Sequence, residues 1–237
     1  EERFFMGTDV QGRDLVSAML YGLRTSVIIG LGAVIFQAVL GITVGLISGY
    51  LGGKLDSFLM RVADIQFAIP YLIVAIIASA IFQLAFGVDR FQQLAVPLLI
   101  FIIGISNWPM YARTVRASVL GEKSKEYVEA AKVIGLNRRI IMFKHILPNT
   151  LTPVLVLSTI QVAQAIMSEA ALSFLGLGMP ISQPSLGSLI KAGFEYVFSG
   201  SWWITLFPSI LLIVFTLVII LFGDWLRDTL NPKLYKG

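Results

Sequence analysis

Residues 25–53 read TSVIIGLGAVIFQAVLGITVGLISGYLGG, and no charged side chain interrupts the chain between Arg24 and Lys54. A helix rises 1.5 Å per residue, so about 20 such residues cross a hydrocarbon core roughly 30 Å thick. A helix also satisfies its own backbone hydrogen bonds in lipid, where water cannot. The run does not alternate apolar and polar residues, as a strand of a transmembrane barrel would. Within it, Gly41, Gly45 and Gly49 recur every four residues, and Gly53 continues the spacing. Such a stripe lets a neighbouring helix approach closely; packing is the simpler reading, and a sliding interface between subunits the sharper one.

The pattern repeats along the chain. Charge-free windows lie between Asp64 and Asp89, Arg90 and Arg113, His145 and Glu169, and Glu195 and Asp224. Five spans are expected, at about 25–49, 66–87, 91–110, 150–174 and 204–223, making an all-α polytopic membrane protein. Composition agrees: 57% of residues are hydrophobic and only 14% charged, against about 25% charged in soluble domains. Such a chain cannot cover a soluble surface. A further window, 170–190, holds Gly176, Gly178, Pro180, Pro184 and Gly187 and reads as a loop or re-entrant turn. There is no Cys, and His145 is the one His, so disulfides and a Cys/His metal cluster are excluded.

Orientation follows from Lys and Arg. With five spans, Arg3, Arg13, Arg24, Arg90 and Lys191 share one side; the remaining Lys and Arg share the other. The richer side is expected to be cytoplasmic, so residues 1–24 lie outside and the C-terminus inside. Trp108 and Trp225 then fall near inner span ends and Trp202-Trp203 near an outer one, as interfacial belts do.

Residues 111–149 form the most charged segment. Within it, Tyr127, Ala130, Ala131 and Ile134 fall at helical spacing on one expected face. Gly135 and Asn137 are helix-stop residues. A short amphipathic helix between spans can lie on lipid or dock a cytoplasmic partner. Small Ala130, Ala131 and Gly135 favour a protein partner over lipid.

In the membrane, Ser158, Gln161, Gln164 and Ser168 recur on the span 150–174, followed by Glu169. A carboxylate at mid-bilayer costs roughly 2.5–3.5 kcal/mol, so it faces protein or water. Gln161, Gln164, Ser168 and Glu169 are therefore candidates for a translocation path, with interhelical hydrogen bonding an equal alternative. Gln37, Gln66 and Gln83 look isolated. Asp64 and Arg61 read as a solvated or locally paired face. No G-x-x-x-x-G-K-[ST] motif occurs, so nothing here cradles a nucleotide phosphate.

Several motifs together resemble one family. Glu129-Ala130-Ala131-x-x-x-Gly135, with His145-Ile146-Leu147-Pro148 after it, resembles the EAA loop of ABC importer permeases; His145 stands where that pattern has Ile. Gly7-Thr8-Asp9-x-x-Gly12-Arg13-Asp14, Gly49-Tyr50-x-Gly52-Gly53-x-x-Asp56 and the stretch from Ala171 to Gly178 resemble the dipeptide/oligopeptide/nickel branch. So does Asp224-x-Leu-Arg-Asp-x-Leu-Asn-Pro232. The nearest likeness is to the second, C-type permease of peptide importers, and it covers essentially the whole chain.

The resemblance implies a type I importer transmembrane domain. It implies coupling to ATPase subunits through Glu126, Glu129, Ala130, Ala131, Gly135 and Pro148. Expected partners are a second homologous permease, two ATP-binding subunits that carry ATP and Mg, an external substrate-binding protein and the bilayer, with no nucleic acid. The expected place is a bacterial or archaeal plasma membrane. The family has six helices and a cytoplasmic N-terminus, so its first helix is expected to be absent from these residues, which open at Glu1 without Met. No cofactor or catalytic group is expected in the chain itself. The competing function is a gradient-driven secondary transporter. It would need paired charges at midplane, and apart from Glu169 the spans carry none. An intramembrane enzyme would need a nucleophile–base or metal constellation, which the composition does not supply.

Overall fold

The computed structural model describes residues 4–230, and among them every regular element is helical. Before the first helix, residues 4–14 fold into a tight loop. The Asp9 carboxylate accepts from the backbone N–H groups of Gln11 and Arg13, both at 2.9 Å, and from Arg13 Nε at 2.7 Å. Gly7 and Gly12 take φ of +78°, the left-handed turn positions the loop needs. Asp14 then caps helix α1 (Leu15–Leu51), accepting from Ser17 N–H at 2.9 Å. The first sequence motif is thus a folded cap.

Helix α1 has 37 residues and is roughly 55 Å long, well beyond the 25–49 expected. A charge ends an apolar window but not a helix; backbone bonding runs past exposed Arg24 to the Asp14 cap. The same reason extends α5 (Ala95–Lys123) and α10 (Trp203–Leu230) beyond their apolar windows. The span expected at 150–174 grows backwards too. A short α7 (Arg138–Ile140) and a π-helical turn (Ile141–Ile146) run straight into α8 (Leu147–Phe174).

The span expected at 66–87 differs most. Helix α2 (Gly53–Phe67) and helix α3 (Tyr71–Phe86) meet at an 86° bend. Pro70 has no N–H to give and disfavours helical geometry at Ile69, so the helix must break there. α3 alone has 16 residues, roughly 24 Å. Among the described residues, four helices are long and apolar enough to cross a membrane, or five with the bent pair as one span. Short α4 (Val88–Gln93) links α3 to α5, and α6 (Glu126–Val133) follows α5. The breaker-rich window resolves into a loop at 175–185 and the short helix α9 (Leu186–Phe194).

The most intimate pair is α1 with α5, and glycine makes it so. A Cβ at Gly41 would lie 2.3 Å from Tyr111 Cβ, and one at Gly45 2.4 Å from the Ala112 carbonyl oxygen; Gly49 faces Val119 at 2.9 Å. Packing is therefore what the stripe does. Gly53 is not part of it: its φ is +63°, and it opens α2 with open space around it. The π-helical turn and α8 complete the core with Ile146, Val154 and Leu172, packed with Leu46, Leu99 and Tyr111. Trp108 is buried in the bundle, so it does not belong to an interfacial belt; Trp202 and Trp225 are exposed. Ile35, Ile81, Leu217 and Leu221 are among many exposed apolar side chains, the reverse of a soluble surface. Asn231 and Pro232, the end of the C-terminal motif, lie outside the described residues.

Candidate functional site

The knob expected between spans forms as α6. Its end is a Schellman turn: Gly135 N–H donates to the Lys132 carbonyl and Leu136 N–H to that of Ala131, with Gly135 at φ +82°. The inward face is Val128 and Ala131, both buried, with Tyr127 partly so. The face expected from spacing is therefore split: Ala130 and Ile134 are exposed, whereas Ala131 and part of Tyr127 turn inward. Ala131 packs into the chain's own core and has no surface left for a partner. Glu126, Glu129 and Ala130 are exposed, and Glu129 pairs with Lys132 at 2.8 Å. Val133 is 87% exposed and Ile134 76%, an apolar tip on a charged end of the bundle. Pro148 is also exposed, in the first turn of α8 directly after the π-helical turn.

A tether fixes the knob. The Tyr127 hydroxyl donates to Glu122 Oε2 at 2.7 Å and accepts from Asn149 Nδ2 at 3.2 Å. Asn149 also donates to the His145 carbonyl at 2.8 Å. One hydroxyl thus joins α6 to the end of α5 and the start of α8. Burial, with the Glu122 carboxylate alongside, raises the Tyr127 pKa, so the phenol stays a donor. Nearby, Arg116 on α5 binds Asp56 on α2 through two nitrogens, at 2.6 and 2.7 Å, and Ser48 of α1 donates to the same carboxylate. Arg113 holds Asp64 at 2.5 Å.

The four path candidates separate. Gln161 and Gln164 line a cavity of about 270 Å³ at the α2–α3 bend, with Gln66, Tyr71, Ser106 and Asn107. The Gln164 amide donates to the Tyr71 hydroxyl, and Gln161 donates to Gln37 Oε1 at 3.3 Å. Ser168 and Glu169 do not line this cavity. Ser168 is buried and donates back to the Gln164 carbonyl. Glu169 is fully buried and accepts from Ser26 of α1 at 2.7 Å and Ser173 of α8 at 2.6 Å. Those serines reach onward. Met179 N–H donates to Ser173 Oγ at 2.9 Å and Leu186 N–H to Ser26 Oγ at 3.3 Å. The carboxylate thereby holds the 175–185 loop at its middle and at its junction with α9.

Sequence reading missed why Gln66 is there. Pro109 sits inside α5 and cannot donate to the Ile105 carbonyl one turn back. Gln66 Nε2 donates to that carbonyl instead, while its Oε1 accepts from Trp108 Nε1 at 2.9 Å. A polar side chain facing a mid-span proline was the available signal. Gln37 likewise is paired, donating to the Ile103 carbonyl at 3.2 Å.

Comparisons with known proteins agree with this architecture. Residues 41–236 match the family described as binding-protein-dependent transport system inner membrane component. The chain is 36% identical over 234 residues to the di/tripeptide transport system permease protein DppC of Pseudomonas aeruginosa (strain UCBPP-PA14), covering 99% of this chain and 74% of that protein. It is 41% identical over 228 residues to a putative peptide transport system permease protein of Brucella suis biovar 1 (strain 1330), covering 96% and 73%. It is 39% identical over 230 residues to the oligopeptide transport system permease protein OppC of Haemophilus influenzae, covering 97% and 70%. Among solved structures, an inward-facing MetNI methionine ABC transporter chain superimposes with a TM-score of 0.72 at 19% identity, covering 92% of this chain and 98% of that one. An amino acid ABC transporter chain gives 0.65 at 14% identity, covering 91% and 95%. These structural likenesses carry the fold.

Proposed function

The chain belongs to the family of binding-protein-dependent transport system inner membrane components, and from that premise we propose that it is the permease subunit of an ATP-driven peptide importer. The relatives' names supply the peptide; the knob supplies the coupling. A second permease completes the path, two ATP-binding subunits hold ATP and Mg, and an external binding protein delivers the substrate. The chain itself only binds, tilts and transmits. Its charged end faces the cytoplasm of a bacterial or archaeal cell, as the Lys/Arg distribution favours.

The observation that carries this reading is the exposed tip of Val133 and Ile134 on a helix tied to two spans through Tyr127. An exposed apolar tip on a charged end of the bundle offers a surface that a partner protein can cover. An ATPase seated on it would move α5 and α8 together, because Glu122 and Asn149 share the Tyr127 hydroxyl. The cavity at the α2–α3 bend lies between those moving helices, and its uncharged amides suit a peptide backbone regardless of side chain. Glu169 is sealed among hydroxyls, which argues against a gradient-driven carrier built on exposed intramembrane charge.

The test is co-purification. The full-length protein is tagged, extracted in mild detergent and probed for its ATPase partners, alongside Val133→Arg and Ile134→Arg. Both substitutions sit on exposed positions and leave the fold intact. Loss of the ATPases from both variants is expected. Retention by both, or no ATPase with the parent chain, overturns the assignment.

A further inference from the structure

A cavity of about 410 Å³ lies at the end of the bundle opposite α6, between the α3–α4 corner and the 176–182 loop. The peptide-importer reading puts this cavity on the outer side. Lys191, on the last turn of α9, is partly buried and lines it. No carboxylate among the described residues pairs with its ammonium. The lining contains no Asp or Glu. Gln83 and Gln92 line the opposite wall, and their amides hydrogen-bond to nothing among the described residues. Gly176 makes room for the ammonium: a Cβ there would lie 2.6 Å from Lys191 Nζ, and the residue has a φ of +83°. Ile181 adds an apolar surface.

On the basis of the peptide-importer reading, we infer that this cavity receives the C-terminal carboxylate of an incoming peptide. A partly desolvated ammonium without a counter-ion attracts an anion more strongly than one in open water. Two free amides in the same cavity match the donor and acceptor of the last peptide bond, which no inorganic anion offers together. The apolar wall accepts the last side chain without selecting it. Position in the last turn of α9 gives Lys191 some helix-dipole stabilisation, but that leaves the cavity and both glutamine amides unused. The two cavities then divide the work, an outer one for the charged terminus and one at the α2–α3 bend for backbone amides.

The chain has no cysteine, so Ser182→Cys, on the exposed rim of this cavity, can be labelled alone within this subunit. In the assembled transporter, an anionic methanethiosulfonate reagent is expected to react several-fold faster than a cationic one. Lys191→Met should abolish that preference and Lys191→Arg should keep it. Millimolar trialanine should slow labelling several-fold, and trialanine amide should not. Equal rates for the two reagents, or a preference surviving Lys191→Met, would remove Lys191 from the cavity. Charge-sensitive labelling without protection by trialanine would overturn the peptide subsite. Peptide uptake by the unlabelled transporter is measured in parallel. Uptake present without protection sinks this inference alone, whereas no uptake sinks the importer reading with it.

Discussion

Ser26 on α1 donates its hydroxyl to Glu169 on α8 at 2.7 Å, joining residues 143 apart in sequence. The bond pins α1 to α8, and because Ser26 and Ser173 also accept backbone N–H groups, it fixes the loop leading into α9. Glu169→Leu leaves both hydroxyls without their acceptor in a fully buried place. Each unsatisfied group costs about 1–3 kcal/mol, so the purified complex should melt several degrees lower. Glu169→Gln keeps a carbonyl oxygen that accepts one hydroxyl and should lose about half as much. If Glu169→Leu melts with the parent chain, the carboxylate holds nothing.

The α1–α5 contact makes a sharper contrast. Gly45→Ala drives a Cβ to within 2.4 Å of the Ala112 carbonyl oxygen, which is backbone and cannot swing aside. The helices must separate, at about 1–3 kcal/mol or more. Gly121→Ala, near the end of α5, meets nothing within 4 Å and should gain about 0.5–1 kcal/mol from reduced backbone freedom in the unfolded chain. Thermal stability and detergent yield of the two variants should therefore move in opposite directions. Equal behaviour would mean that α1 and α5 do not pack through this stripe.

Much of this architecture was legible in the sequence, because lipid leaves a chain few options. Charge-free windows located the membrane helices, and glycine every four residues marked the tightest interface. Helix ends were not legible: Arg24 bounds an apolar run, yet α1 continues to Leu15 because its backbone bonds are indifferent to a charge on an exposed face. The 86° bend was hidden too, since Pro70 lies near the end of an apolar window yet separates two helices. For the knob, spacing gave the helix and Gly135 its stop. Spacing put Tyr127, Ala130, Ala131 and Ile134 on one face, which the fold splits, because Val128 and Ala131 meet the core formed by α5 and the π-helical turn while Ala130 and Ile134 stay exposed. The path candidates shared one helix stripe, but a stripe of 28 residues passes several environments. Gln161 and Gln164 reach a cavity where Pro70 breaks the neighbouring helix, and Glu169, higher up, meets serines from α1 and its own helix. Partners that distant in sequence carry no local signal.

Tyr127 is the third place to intervene. Tyr127→Phe keeps the ring and its packing but removes the hydroxyl shared by Glu122 and Asn149. The stability cost should be modest, about 1 kcal/mol, because the site is partly open to water and both partners can rehydrate. Coupling should suffer more. ATP hydrolysis by the assembled complex should persist while peptide uptake per ATP falls several-fold. Unchanged uptake per ATP would show that the knob moves α5 and α8 without this hydroxyl.

The two cavity glutamines should behave differently although they lie three residues apart. Gln164 reaches the Tyr71 hydroxyl across the cavity at the α2–α3 bend and is only partly buried. Gln164→Leu removes an amide from the lining, and Tyr71 can turn to water in the cavity, so assembly should be normal while peptide uptake drops. Gln161 supports Gln37, which is fully buried and bonds the Ile103 carbonyl in α5. Gln161→Leu therefore leaves the Gln37 carbonyl oxygen without a donor in the core, at about 1–3 kcal/mol. It should lower both stability and uptake. Measuring melting temperature and initial uptake on the same preparations separates the roles. A Gln164→Leu variant that transports at the parent rate would remove the cavity from the path. Its failure to assemble would instead make Gln164 a strut between α3 and α8.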